Sequence, residues 1–534
     1  MTAGEAPPRT ERRDVPDLLR RRLAPWDNGR DPASWLVAAV VTAIAAIVRV
    51  VDLGRPGRII FDETYYAPHG YSLFRYGVEW KLAEDGANPV DGAPVFADGP
   101  AYVVHPPLGK WLIGAGEWVF GYSSFGWRIA AAVAGTLSVL MIARIGRRLF
   151  GSTVLGAAAA LLVALDGMHL VMSRTALLDI FLLLFVVAAF GALLLDRDAR
   201  RRRWLRALEG GLDPTRPGRA GLPPFDWRTG PPWWRFAAFA LLGCAAAVKW
   251  SALFFLPVFL VLVVVWEVGA RRSAGVTRPW WETAGSETLS LFGSVMIVPV
   301  VYLLSWSGWL ATDHGFYRNW LADTGRDQPP VIGTLRNLLH YHQEALRFHG
   351  GLDTAHQYES APWQWLLLAR PVAFHYSGEG DCGAARCASE VLLLGTPVLW
   401  WSFLPAVLVA LWFGVARRDW RVPALLLMAA AGIVPWLLLD MVGGDRVMFY
   451  FYALPSQPFL VLTVVYVLGM MMGPTGRRGP DLLGFDRRTT GVVIAAVFVV
   501  LVGLNFVYFY PIFTGQDIPY QAWQARLWLG SRWF

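Results

Sequence analysis

Charge is scarce in this chain. Asp, Glu, Lys and Arg supply 16% of its 534 residues, against about 25% in soluble domains, and the mean hydropathy is +0.40. Long apolar runs recur along the whole length, so the composition excludes a soluble globule with a single anchor and implies a chain that crosses a membrane many times. Cysteine is scarce as well. Three residues are too few for a disulfide framework. Cys382 and Cys387 lie close together in a polar stretch, where they either pair, if that stretch is outside the cytoplasm, or remain free thiols. Cys244 lies in an apolar run. Lysine is nearly absent, since all but three of the 48 basic residues are Arg. The first 33 residues lack the short apolar core and small-residue cleavage site of a signal peptide, so they read as an Arg-rich cytoplasmic tail. No clean repeat and no separable soluble domain is visible.

What is present is a series of eleven apolar segments, at 34–52, 126–145, 152–171, 175–196, 234–249, 251–269, 286–306, 391–415, 421–440, 448–470 and 489–511. The expected fold is an all-α polytopic bundle of about eleven membrane helices with two large outer loops carrying surface helices. The links "RIGRRLFG", "DRDARRRRWLRALEGG", "GARRSAG", "ARRDWR" and "GPTGRRGPDLLGFDRRT" fall on the side of the Arg-rich tail, and that bias sets this side in the cytoplasm. The net charge of +8 therefore belongs to topology and does not point to nucleic acid. The expected organisation is a tail at 1–33, an N-terminal membrane module at 34–306 that includes an outer loop at 53–125, a second outer loop at 307–390 and a C-terminal membrane module at 391–534, ending outside.

A charge near the middle of a spanning helix costs about 2.5–3.5 kcal/mol on insertion scales, so such residues need a partner or a role. On this topology they gather at the outer ends. Arg128 opens the second segment, and Asp166, His169 and Arg174 close the third. Asp179 begins the fourth, Lys249 ends the fifth, and Asp62 and Glu63 follow the first. Each one alone is as well explained as an interfacial anchor or an ion pair. Their coincidence on one side suggests a polar cavity opening outward.

Five stretches then become recognisable in order: "FDETYY", "HPPLGK" with His105 and Lys110, Arg128, "SRTALLD" and "AVKWSALFF". In this the chain resembles bacterial protein O-mannosyltransferases, polytopic GT-C-like glycosyltransferases that use lipid-phosphate sugars. The resemblance is strongest over residues 58–255 and continues in "HQYESAPWQWLLLARP" and "RVMFYFYALPSQPF". It implies transfer of mannose, with inversion, from a polyprenyl-phosphate-mannose in the membrane to Ser or Thr hydroxyls of exported polypeptides on the outer face of the plasma membrane. The secretion translocon is a candidate neighbour. It implies that Asp62 is the base, that Glu63 supports it, and that Arg128 contacts the donor phosphate. Arg174 and Lys249 are further phosphate candidates; His105, Lys110, Asp166, Asp179, His356, Arg370 and Arg446 complete the expected site.

The residue types suit that chemistry. A hydroxyl is a poor nucleophile and needs a carboxylate within about 2.6–3.2 Å to take its proton. A phosphodiester leaves readily, so no second acid is required, unlike a glycoside hydrolase. An Arg fork stabilises the departing phosphate. Nearby cations are expected to hold the Asp62 pKa low. No metal or other cofactor is needed, and His340, His342 and His349 match no strong ligand spacing. Two rival readings stay open: a sister enzyme moving another lipid-linked sugar to a lipid or glycan, and a transporter, whose polar groups should lie near the bilayer midplane.

Overall fold

The computed structural model describes residues 17–23, 31–215, 231–443, 446–473 and 486–533. Most of the Arg-rich tail and most of the last basic link lie outside the described residues. Among those residues, eight helices are long and apolar enough to span a bilayer. They are Pro32–Val50, Ser124–Phe150, Asp179–Glu209, Trp250–Ala274, Pro279–Ser305, Pro397–Arg417, Tyr450–Met472 and Arg487–Thr514. A bent pair, Arg421–Ala431 with Val434–Met441, and two shorter apolar helices, Thr153–Ala164 and Trp233–Ala246, account for the other expected segments. Helices dominate because hydrocarbon offers no partner for a free backbone N–H or C=O.

Several boundaries differ from the sequence reading, each for a local reason. The segment expected at 152–171 breaks after Ala164, where Asp166 caps a separate short helix, Gly167–Met172, by accepting from His169 N at 3.1 Å. Gly167 there runs so close to the Leu394 carbonyl that a Cβ would collide with it. The pair at 421–440 bends by 48° at a proline within the first turn of its second helix. The segment expected from 391 begins instead as a strand, Cys387–Leu393, and turns helical only at Pro397. A short apolar run cannot by periodicity alone be told from a helix.

The long Asp179–Glu209 helix and Tyr450–Met472 form the centre of the bundle, 72% and 78% buried over their apolar windows, against 28% for Pro32–Val50 at the periphery. At about 1.5 Å per residue the 31-residue central helix exceeds the ~30 Å hydrocarbon core. Its Arg-rich last third therefore extends past the apolar layer.

The two large loops meet at the other end of the bundle. The first holds the helix Glu63–Tyr76, an antiparallel strand pair Trp80–Leu82 and Phe96–Pro100, and the helix Leu108–Phe120, which starts directly after the double proline. The second holds the helix Ile332–Gly350 and a strand Val372–Ser377 paired with Cys387–Leu393, to which Ile518–Pro519 adds a third strand. These strands were not anticipated, and they tie the C-terminal segment to the second loop. Cys382 and Cys387 are joined as a disulfide.

Candidate active site

The acidic pair sits at a forced turn. Phe61 takes a positive φ of 47°, a conformation that costs an ordinary side chain energy and persists only when its surroundings hold it. They do so here: the Phe61 ring stacks on Phe374 at 4.5 Å between centroids, with Phe449 and Phe451 edge-on. The chain then enters the Glu63–Tyr76 helix, and the two neighbouring carboxylates have different surroundings.

Glu63 is fully buried and fully engaged. Its Oε1 accepts from Arg128 Nε at 2.7 Å and Ala176 N at 3.0 Å, and its Oε2 from Arg128 Nη2 at 2.8 Å and Ile60 N at 3.1 Å. Arg128, also fully buried, donates in addition to the carbonyls of Leu53, Pro56 and Arg58. A guanidinium has five N–H donors, and this arrangement uses all of them. The donor phosphate expected at Arg128 finds no free N–H there. Instead Arg128 clamps Glu63 to the loop that carries Asp62.

Asp62 has no side-chain hydrogen bond among the described residues, not even the helix cap its position would allow. Its charge is felt by Lys249 and Asp179, and the protein around it pushes its pKa up to about 6. Burial is the main cause, Lys249 pulls the other way, and Asp179 adds to the rise. The expectation that nearby cations hold this pKa low is therefore corrected: desolvation outweighs the lysine.

Beside the pair lies a cavity of about 330 Å³ lined by residues of both loops and of the helix ends below them. Its polar end carries His105, Asp179, Lys249, His349 and Arg446; its apolar wall includes Leu182, Phe254, Trp436 and Leu439. Lys249 Nζ lies 2.7 Å from Asp179 Oδ2 and 5.6 Å from the Phe451 and Tyr452 ring centroids. Arg446 donates through Nη1 to the His349 carbonyl at 2.9 Å and lies over Trp436, while its buried Nε has no hydrogen-bond partner among the described residues. Burial, reinforced by Lys249, holds His105 well below the usual imidazole range, and burial with Arg446 beside it lowers His349 to about 4. With both imidazoles driven towards the neutral form, Lys249 and Arg446 are the other basic side chains among the described residues of this lining. The lining is thus part apolar and part cationic, chemistry that suits a lipid with a phosphate head.

The structure thus brings Asp62, Asp179, Lys249, His105 and Arg446 together. The remaining candidates are placed elsewhere. Arg174 donates to the carbonyls of Val48, Arg49, Val51 and Asp52, closing the end of the first helix. Lys110 pairs with Glu79 at 2.6 Å and with the His105 carbonyl at 2.8 Å. Asp166 also accepts from Thr396 N and Trp400 Nε1, and Arg370 binds the carbonyls of Gln357 and Arg532. His356 accepts from Tyr358 N beside Phe449. His169 lies in a buried network with Arg49 and Ser138. Among the described residues no group of three or more His, Cys, Asp or Glu is gathered as for a metal.

Sequence reasoning missed His349, Tyr66, Tyr452 and Trp436 as site residues. Tyr66 was findable: it stands four residues after Asp62, one helical turn on, and its phenol pKa is raised well above the usual value by burial and then by Asp62 and Asp179. His349 and Trp436 carry no such local signal.

Two family models match the chain. That of the dolichyl-phosphate-mannose-protein mannosyltransferases covers residues 39–212, and that of the C-terminal four-transmembrane region of protein O-mannosyltransferases covers 334–533. A polyprenol-phosphate-mannose–protein mannosyltransferase of Mycolicibacterium smegmatis is 40% identical over 514 residues, covering 93% of this chain and 92% of its own. The enzyme so named in Corynebacterium glutamicum is 33% identical over 511 residues, covering 94% and 93%. In architecture the chain is similar to the Saccharomyces cerevisiae protein O-mannosyltransferase Pmt1-Pmt2 complex bound to its sugar donor, with a TM-score of 0.66 at 14% identity over 96% of this chain and 94% of that one. With two family models spread over both halves and relatives matched nearly end to end, the chain belongs to the dolichyl-phosphate-mannose–protein mannosyltransferase family.

Proposed function

We propose that the cavity binds a polyprenyl-phosphate-mannose and that Asp62 takes the proton of a Ser or Thr hydroxyl of a polypeptide as mannose passes to it. The observation that carries this reading is the division within the acidic pair: Glu63 has its acceptors engaged by two backbone amides and Arg128, while Asp62 has no side-chain hydrogen bond among the described residues. In the step, the hydroxyl oxygen bonds to the anomeric carbon and the bond from that carbon to the phosphate oxygen breaks. The proton goes to Asp62 and the electron pair leaves with the phosphate, in one displacement that inverts the centre. A base with a pKa near 6 is both ionised at neutral pH and basic enough to help.

Lys249 and Arg446 are the cations that meet the phosphate, because Arg128 and Arg174 give their hydrogen bonds to the protein itself. The apolar wall takes the first prenyl units. The Arg-rich links then face the cytoplasm and the cavity faces the outer side of the plasma membrane. There the acceptor is met during or after its export, beside the secretion translocon.

The test is transfer of mannose from a synthetic polyprenyl-phosphate-mannose to a Ser/Thr peptide by the purified full chain, with Asp62→Asn alongside. Transfer by the wild type and a loss of about 10²–10⁴-fold in the variant support the assignment. Full activity of Asp62→Asn removes Asp62 as the base. Transfer of a different sugar but not of mannose would assign the chain to a sister activity.

A further inference from the structure

At the opposite end of the bundle from Asp62 there is a second cavity, of about 690 Å³, that the transfer reaction does not use. It is assembled from four separate basic links and the short helix Asp17–Leu23. Arg148 comes from the first link, Arg197, Asp198 and Arg201 from the second, Ser273 from the third, and Asp419 and Arg421 from the fourth, with Arg22 from the short helix. The bias towards arginine in these links thus has a tertiary consequence: they converge on one space.

The charges in that space do not balance. Among the described residues five guanidiniums face two carboxylates. Asp419 is held by Arg421, and Asp198 is shared between Arg148 and Arg197. Among the described residues Arg201 forms no ion pair within 4 Å and donates to the Arg22 carbonyl and the Ser273 hydroxyl. Arg197 is 10% exposed, and its buried Nε has no hydrogen-bond partner among the described residues; its guanidinium lies 3.5 Å over the Trp420 ring.

A neighbouring cluster at the same end makes the contrast. Arg200, Arg235 and Arg271 are matched there, three charges to three, by Asp196, Glu267 and Glu287 in a network of ion pairs, although the buried Arg271 Nε has no hydrogen-bond partner among the described residues either. The fold can match arginines one to one with carboxylates at this depth, yet among the described residues the cavity sets five arginines against two. Nor is the cavity wholly polar. Leu149, Phe150, Leu194 and Val265 line it, and Val265 is 49% exposed on the outside of its helix, so the wall is continuous with the face that meets lipid chains.

From the unbalanced arginines, the unpartnered Arg197 Nε and the apolar wall, we infer that this cavity binds the phosphate of an acidic phospholipid of the leaflet at the Arg-rich end. Guanidiniums are suited to phosphate oxygens in paired geometry. Basic pockets between membrane helices hold lipid head groups by this chemistry. The acyl chains run along the Leu149, Phe150 and Val265 side, and Trp266 and Trp420 wall the head group. The inference does not depend on which sugar the other end transfers.

The experiment uses the purified full chain in nanodiscs and measures retained lipid by native mass spectrometry, comparing phosphatidylglycerol with phosphatidylcholine. The variants are Arg197→Gln with Arg201→Gln, which leaves Arg148 on Asp198, and separately Arg22→Gln, whose exposed site spares the fold. Arg272→Gln, an exposed arginine at the same end and outside the cavity, is the control. The expected result is phosphatidylglycerol retained at least tenfold over phosphatidylcholine by the wild type and by Arg272→Gln. The double variant should lose that preference, and Arg22→Gln should weaken it. Retention unchanged in both cavity variants overturns the inference. A third arm adds inorganic phosphate and short-chain phosphatidylglycerol as competitors. If inorganic phosphate displaces the lipid as well as the short-chain lipid does, the site takes a free anion and the lipid assignment falls.

Discussion

Arg128 and Glu63 lie in a closed clamp: two charge-assisted hydrogen bonds of 2.7 and 2.8 Å join them, and the guanidinium spends its other three donors on the loop carbonyls of Leu53, Pro56 and Arg58. Both side chains are fully buried, so neither charge has water to fall back on. Breaking a buried pair by removing one partner costs about 3–5 kcal/mol.

Glu63→Gln and Arg128→Gln are accordingly expected to destabilise the fold by about that amount, with a lowered midpoint of thermal unfolding in detergent. The double variant should cost less than the two singles added, because each single leaves the other charge stranded. Near-additive losses would mean that the two residues act separately.

Asp62→Asn is expected to behave oppositely, losing about 10²–10⁴-fold in kcat while its unfolding midpoint stays at the wild-type value. Among the described residues Asp62 has no side-chain hydrogen bond to lose. A large fall in the midpoint would show that it is a structural residue.

The pH profile follows from the raised Asp62 carboxyl, which loses its proton near pH 6. It can accept a proton only when ionised, so kcat/KM should be flat above about pH 7 and fall tenfold per unit well below 6. Lys249 lowers this pKa and Asp179 raises it. Lys249→Met should therefore move the acid limb upward in pH and Asp179→Asn should move it downward. Limbs that stay in place in both variants would separate these residues from Asp62.

Arg446→Gln is expected to raise the KM for the lipid donor far more than it changes the pH profile. A hydrogen bond to a charged group contributes about 1.5–3 kcal/mol, which is about 10–150-fold in affinity. Binding of polyprenyl phosphate without the sugar, measured by quenching of tryptophan fluorescence, should weaken equally. The cavity holds Trp250 and Trp436 as reporters. Undiminished binding would place the phosphate elsewhere.

How much of this was legible beforehand depends on how local each property is. Asp62 and Glu63 could be singled out because an acidic doublet after an apolar run is unusual wherever it lies. Lys249 and Asp179 could be placed on one side by counting helices. That Asp62 is free and Glu63 is not could not be read, since Glu63 is held by Arg128 and by the amide of Ala176, and no spacing along the chain encodes those meetings. The same holds for the strand Cys387–Leu393, whose apolar run suits a helix until pairing with Val372–Ser377 decides otherwise.

Local composition is enough to make the chain a membrane bundle, to set where its apolar segments lie and to say which end carries the arginines, because burying or solvating a segment depends on that segment's own side chains. Which of those charges are spent is settled by contacts between distant parts of the fold. Arg128 and Arg174 are used up on protein acceptors, whereas Arg446 and Arg197 each keep a buried Nε without a partner among the described residues. The satisfaction of a hydrogen-bond donor is set by whatever the fold brings to it from far along the chain.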